Sequence, residues 1–418
     1  MRLIYSLLMY LLTPYLLVRL WWKGRRLPAY RHRIAERFSL DAMPEKQVDI
    51  WIHAVSLGEV IAVTPLIDAL LDEKKQILVT TMTPTGSKQV ETRFGSRVMH
   101  RYVPYDLPCI LRRFFSKVKP RLGLIVETEL WPNLIYYATK TNMPLFLVNA
   151  RLSERSYRNY KKAAFLFKSV LNQFTNIFAQ SDDDARRFKR LGVDAAKVAV
   201  PGNMKFDLQT QNIEKALFLT LKNYWGAHRP IVTIASTHED EEQQVLSCLR
   251  QLQQGLPGVI LLIAPRHPER FQKVYQLSKQ QGFNTGLRSQ IDTLNESNDV
   301  VILDSLGELL GFYQISDYAF VGGSFVPVGG HNVLEPIAMK VPVFSGPHVH
   351  NFKTICRELK EAQAIGLVEN AEHLVQRIIA LSQNETEKQT LVDRATQVLT
   401  ENKGAIKRYL DKITFVLD

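Results

Sequence analysis

The chain repeats one local pattern from residue 49 to residue 344: a short run of branched and apolar residues ends in a polar or glycine-bearing turn, and a longer amphipathic stretch follows. Parallel strands need a crossover of a dozen or more residues, usually a helix, so this repetition predicts parallel sheets covered by helices on both faces. In the first half the predicted strands are residues 49–55 (DIWIHAV), 77–81, 122–126 (LGLIV), 145–149, 176–179 and 197–200. A second series restarts at 231–235 (IVTIA) and continues with 259–264 (VILLIA), 299–303 (DVVIL), 317–321 (DYAFV) and 341–344. One hydrophobic core organises at most roughly 250 to 300 residues, and the chain has 418. Two Rossmann-like α/β domains are therefore expected. Residues 201–224 open on a Pro-Gly turn and contain no strand pattern, which puts the boundary near residue 212. The expected division is a membrane anchor over 1–22, a first domain over 23–211 and a second over 212–418, its last helices free to pack back on the first.

The charge, +12 in total, is concentrated at the start. Residues 1–40 hold eight Lys or Arg against the single acid Glu36, a balance of +7, and residues 3–18 before them carry no charge. Taken alone, the basic cluster would suit a nucleic-acid arm. The apolar run and the interleaved Trp21, Trp22 and Tyr30 instead mark a membrane interface, where aromatic residues anchor and cations meet anionic headgroups. The run lies at the lower edge of the ~20 residues that cross a bilayer, and Pro14 interrupts it. Crossing the bilayer and lying in the interface are both compatible with it, and a buried first helix of the soluble domain is the alternative, disfavoured by the missing polar face. No small-residue cleavage site follows, and the basic flank predicts that the rest of the chain is cytoplasmic. Cys109, Cys248 and Cys356 stand too far apart in sequence for a zinc knuckle or a CxxC pair, which suits a reducing compartment.

Ligands of open α/β sheets bind outside the carboxyl ends of the strands. After the first strand, the segment HAVSLGE places Glu59 in the first turn of a helix, either as a general base or as a group stabilised by the helix dipole. After LGLIV, the segment ETELWPN sets Glu129 beside a bulky Trp131, so that carboxylate needs a partner. Lys205 in PGNMKFD, at a comparable strand end, is the candidate cation, whether the pair is structural or catalytic. In the second half, Pro265 and Arg266 follow VILLIA, and Gly307, Glu308 and Leu309 follow DVVIL. The glycine-rich GGSFVPVGGHN then leads into Asn332, Val333, Leu334 and Glu335. Its amides and the following helix start are expected to hold an anion, with Asn332 and Glu335 on one helical face and Glu335 accepting from a ribose. The loop is neither G-x-G-x-x-G nor a P-loop. The triple acid 182–184 after Ser181 reads as a helix cap rather than a metal-binding DxD.

As an ordered set, HAVSLGEV, ETELWPN, PGNMKFD, APRHPER, LGEL and GGSFVPVGGHNVLEP closely resemble the 3-deoxy-D-manno-octulosonic acid (Kdo) transferases of lipopolysaccharide synthesis. The resemblance implies the GT-B architecture, two Rossmann-like domains facing a cleft, and inverting transfer of Kdo from CMP-Kdo to the lipid A precursor, lipid IVA, at the cytoplasmic face of the inner membrane. It makes Glu59 the general base and Glu129 and Lys205 stabilisers of the transition state. Pro265, Arg266, Gly307, Glu308, Leu309 and Asn332 to Glu335 become the CMP contacts. No cofactor, metal or nucleic acid is expected, because a nucleoside monophosphate can leave without a chelated diphosphate. Two other readings are a GT-B transferase or epimerase using a uridine nucleotide, separable by CMP against UDP competition, and a non-catalytic lipid-binding scaffold, separable by replacing Glu59.

Overall fold

The computed structural model describes residues 2–42, 47–208 and 215–417, so the expected boundary near residue 212 lies outside the described residues. Packing divides the chain into two compact units, one of residues 1–207 with 404–418 and one of residues 208–403.

The first unit is built on a seven-stranded, all-parallel sheet. Its strands are β1 (Ile50–His53), β2 (Ile77–Thr81), β3 (Met99–Tyr102), β4 (Leu122–Val126), β5 (Leu145–Ala150), β6 (Asn176–Ala179) and β7 (Val198–Ala199), in the order β3-β2-β1-β4-β5-β6-β7. Every residue of β1, β2, β4 and β5 is buried, as expected for strands covered on both faces. One face packs Trp51, Leu78, Ile125 and Leu147 against Phe114, Leu134 and Phe174. The other packs Ile50, Ile52, Leu124 and Phe146 against Val63 and Leu66, and against Tyr409 and Ile413 from the far end of the chain.

The second unit repeats the plan with β8 (Ile231–Thr237), β9 (Ile260–Pro265), β10 (Thr285–Leu287), β11 (Val300–Ile302), β12 (Tyr318–Val321), β13 (Val343–Ser345) and β14 (Gly366–Leu367), in the order β10-β11-β9-β8-β12-β13-β14. Strands β3, β10 and β14 were absent from the sequence expectation. All three are edge strands, and β3 (MHRY) and the two- or three-residue β14 and β10 lack the apolar run that a central strand shows.

The terminal helix Ala405–Leu417 belongs to the first unit, and two contacts fix it there. The Asp207 carboxylate accepts from the backbone N–H of Gly404 and of Ile406, both at 2.6 Å, and so caps the helix start. The buried Tyr409 hydroxyl accepts from Asn149 N at 3.0 Å and lies 3.1 Å from the Gly202 and 3.3 Å from the Phe178 carbonyl oxygen. One phenol thus ties the ends of β5 and β6 to the Pro-Gly turn before Lys205. Tyr409→Phe leaves these buried backbone groups short of a partner and is expected to cost about 1–3 kcal/mol, read as a lower urea midpoint at unchanged slope.

Candidate active site

In each sheet the strand order reverses once, between β1 and β4 in the first unit and between β8 and β12 in the second. Such a switch point opens a crevice at the carboxyl ends of the strands. Glu59, Glu127 and Glu129 all emerge at the first of these openings.

Ser56 caps the helix Leu57–Asp72, its Oγ accepting from Glu59 N at 3.4 Å. The Glu59 carboxylate reaches back to accept from Val55 N at 2.7 Å and from the Ser56 hydroxyl at 2.9 Å, a variant of the capping box in which the residue before the cap supplies the N–H. The cap orients the carboxylate without neutralising it. Burial, then the Glu129 and Glu127 carboxylates, push the Glu59 carboxyl up to about 8, against the pull of the Val55 N–H and the Ser56 hydroxyl. The capping and proton-accepting readings of Glu59 are therefore compatible in one geometry.

Glu127 closes β4 with a left-handed backbone, φ 58°. A non-glycine residue in that region is uncommon and gathers at functional sites. Its carboxylate, rather than that of Glu129, pairs with Lys205 at 3.6 Å. This corrects the expected Glu129–Lys205 pair: the partner of Glu129 is the indole of Trp131, whose Nε1 donates to Oε2 at 2.8 Å. Burial still raises the Glu129 carboxyl above its usual range, and the Trp131 N–H opposes it. Lys205 lies on the short 3-10 turn Met204–Phe206, held by Asn203 Oδ1 on Lys205 N and by Asn149 Oδ1 on Met204 N, each at 3.1 Å. Asn149 has φ 51° at the end of β5. The sequence pattern assigns no role to Glu127, Asn149 or Tyr409. A polar residue ending an apolar strand run was the available signal for the first two; nothing local marks Tyr409.

In the second unit, a cavity of about 160 Å³ is lined by Ser236, Pro265, Arg266, Gly307, Glu308 and Leu309, among others. Two of the three expected donor segments therefore share one cavity. Gly307 has φ 87° with nothing within 4 Å of a would-be Cβ, so backbone conformation rather than space requires glycine. Glu308 is engaged by Arg288, whose Nη2 donates at 2.8 Å, and by the Ser305 hydroxyl.

The third segment differs from expectation in two ways. The Gly322–Asn332 loop does not offer all its amides to an anion, because the buried Glu241 carboxylate already accepts from Gly323 N, Ser324 N and Phe325 N at 2.7, 3.0 and 2.9 Å, and from His238 N at 2.9 Å. A Cβ on Gly322 would meet Glu241 Oε2 at 2.9 Å, so this glycine admits the internal anion. Second, the helix begins at Leu334 and has five residues. Asn332 precedes it, accepting from Leu334 N at 3.1 Å and donating Nδ2 to Glu335 Oε1 at 3.0 Å, so the two do not share a helical face. Burial raises the Glu335 carboxyl, with the Asn332 hydrogen bond and then Arg266 pulling it back. His238 Nε2 and His331 Nε2 stand 2.9 Å apart nearby, and burial, then Arg266, lowers His331 to about 3. Side chains of Arg266 and these imidazoles, more than loop amides, surround this strand end. At Ser181 the expected helix cap is present, its Oγ accepting from Asp184 N at 3.3 Å.

Two such Rossmann-like units, each a parallel sheet with one switch-point crevice at its strand ends, define the GT-B fold class. A crystallographic glycosyltransferase from Rickettsia africae shares the fold with a TM-score of 0.59 at 14% identity, over 90% of this chain and 100% of that one. The UDP-GlcNAc 2-epimerase from Neisseria meningitidis does so with a TM-score of 0.56 at 13% identity, over 85% and 99%. The family model for 3-deoxy-D-manno-octulosonic-acid transferase (kdotransferase) matches residues 32–208. A 3-deoxy-D-manno-octulosonic acid transferase of Haemophilus influenzae is 40% identical over 98% of this chain and 97% of its own length, and one of Bordetella pertussis is 31% identical over 98% of each. The chain belongs to the 3-deoxy-D-manno-octulosonic acid transferase family.

The raised Glu59 carboxyl has a consequence for stability. Between pH 4.5 and about 8 the folded chain keeps a proton that the unfolded chain releases, so the stability this group contributes is full below pH 4.5 and is lost as pH rises through 8. Glu59→Gln removes that loss. Its melting temperature is expected to exceed that of the unsubstituted chain by a margin that widens from pH 5 to pH 9, measured by scanning calorimetry.

Proposed function

We propose that the chain transfers Kdo from CMP-Kdo to the lipid A precursor with inversion, the first unit binding the acceptor and the second the CMP-sugar. The observation that carries the reading is the Glu59 carboxyl, held by its cap among other carboxylates and pushed up to about 8. A group whose pKa lies near the working pH is a good general base, because it is strong enough to take a hydroxyl proton and is still ionised in part. Accepting the proton also relieves its repulsion with Glu129 and Glu127. The acceptor hydroxyl gives its proton to Glu59 as its oxygen forms the bond to the anomeric carbon of Kdo, and the bond from that carbon to the CMP phosphate oxygen breaks with its electron pair leaving on CMP. Lys205, fixed by Glu127 and its turn, supplies positive charge for the donor's carboxylate or departing phosphate. Glu129 supports the positive charge that develops at the anomeric centre. Arg266 and the cavity beside Gly307 take the nucleotide. The basic N-terminal segment seats the chain on the cytoplasmic face of the inner membrane, where an anionic acylated acceptor lies.

Mass spectrometry of the lipid A precursor after incubation with CMP-Kdo tests the transfer: addition of one or more Kdo masses is expected, inhibited by CMP and not by UDP and persisting in EDTA. An inert mixture, or inhibition by UDP alone, contradicts the donor. Glu59→Ala is expected to lower kcat by about 100-fold or more while CMP binding, read by calorimetry, stays unchanged. The kcat/KM of the unsubstituted enzyme should rise with pH to a plateau above about 8, since the base works deprotonated.

A further inference from the structure

The N-terminal helix Arg2–Arg26 passes the length and apolarity requirements for a membrane span, yet it is fastened to the first unit along its length. Near its start the Tyr5 hydroxyl donates to Asp106 Oδ2 at 2.7 Å, and the Ser6 hydroxyl donates to Asn133 Oδ1 at 2.9 Å. Arg2 Nη1 donates to the same Asn133 oxygen at 3.3 Å while its guanidinium lies 3.6 Å from the centre of the Tyr136 ring. Midway, Met9, Leu16 and Leu17 pack on the buried Tyr105, Leu107 and Ile110. Toward the other end Arg31 lies 4.7 Å over the Trp21 ring and donates to the Trp21 carbonyl. Positions 2, 5, 6, 9, 16 and 17 fall on one helical stripe. Leu3, Leu7, Leu11 and Val18 fall on the opposite one, and they are 62–75% exposed.

A helix of 25 residues is about 37 Å long and a bilayer's hydrocarbon core about 30 Å thick. If this helix crossed the bilayer, its first turn would emerge on the far side, and Asp106 and Asn133 would have to leave it or follow it. Both are integral to the first unit. Asp106 is 3% exposed and accepts from Leu134 N at 2.6 Å and Asn133 N at 3.3 Å, capping the helix Pro132–Thr139, and Asn133 is wholly buried. Drawing them into hydrocarbon, or leaving them without partners, costs several kcal/mol per group.

We propose that the helix Arg2–Arg26 lies in the plane of one leaflet, strapped to the first unit at its start and through its middle, with the Leu3–Val18 face seated in lipid. The occupant is a bilayer surface with anionic headgroups, because the exposed Arg19, Lys23 and Arg25 follow the apolar face along the helix and Trp21 and Trp22 stand among them. The inference rests on the reading that the acceptor is a membrane lipid and adds a geometry to it. The strap's seat, Asn133, lies four residues from Glu129 and two from the Trp131 that holds it. A leaflet under the strap therefore fixes the distance between lipid and the carboxylates of the first switch point.

The test places one spin label at a time at Ile4→Cys, Leu11→Cys or Val18→Cys in the full chain, with Cys109 and Cys248 replaced by serine, on vesicles containing phosphatidylglycerol. The strap predicts the same shallow depth at all three positions, about 5–10 Å below the headgroups. Graded depths with Leu11→Cys near the midplane, or a label at position 4 reached only from the opposite leaflet, overturn it in favour of a span. Labels that stay in water while Kdo transfer to detergent-dispersed acceptor continues overturn the lipid seat and leave the transfer chemistry standing. Leu7→Glu with Leu11→Glu is expected to weaken vesicle co-sedimentation at least tenfold with turnover on dispersed acceptor retained; unchanged co-sedimentation counts against the face proposed.

Discussion

The parallel pairing of β1 with β4 is the constraint on which the first unit's chemistry depends. It sets Ile50 beside Leu122 and His53 beside Ile125, so that the two strands run out together and their following loops diverge. The helix after β1 must start at Ser56, and the chain after β4 must turn at Glu127. Three carboxylates are thereby brought within electrostatic reach in a space that burial keeps poor in water. Among the described residues the direct ion pair to the group is Lys205 to Glu127, and Glu59 has two neutral donors. Burial first, and then the Glu129 and Glu127 carboxylates, raise the proton affinity of Glu59, which is what the proposed role as a base draws on.

The second unit resolves the same crowding differently. Its glycine-rich loop resembles an anion cradle in sequence, yet the anion it cradles is its own Glu241, wholly buried among backbone amides. That internal carboxylate rigidifies the strand end at the second switch point. It also leaves recognition of a phosphate or a sugar carboxylate to side chains, of which Arg266 lines the cavity with Gly307 and Glu308. On the proposed reading the two units divide the work, with proton transfer and charge stabilisation on one and nucleotide recognition on the other.

Central strands and their ends were legible in the sequence because a strand buried on both faces must be apolar, and the polar residue that ends it stands out. That logic put Glu59, Glu129, Lys205, Arg266 and the segment at 307–309 just after strands, where the structure also has them. It failed where an interaction joins residues distant in sequence. Nothing near Glu241 announces that it fills a loop some eighty positions later, and nothing near Tyr409 announces that it braces Asn149. The choice of Glu127 over Glu129 as the partner of Lys205 depends on a left-handed backbone that the sequence ETE leaves undetermined. Edge strands failed for a simpler reason, since a strand covered on fewer sides needs fewer apolar residues. The N-terminal helix reads as membrane-directed by its composition, and the proposal of a strap rather than a span draws on the stripe at Arg2, Tyr5 and Ser6 and its buried partners.

Direct titration of the Glu59 carboxyl tests the central claim, that burial among carboxylates makes this capping residue a base. With glutamate carrying carbon-13 at its carboxyl carbon, and the Glu59 resonance assigned by its loss in Glu59→Gln, the chemical shift can be followed from pH 4 to pH 10. A midpoint near 8 is predicted. A midpoint near the ordinary glutamate value of about 4.3 would contradict the account, because the carboxylate would then be a capping group and a weak base.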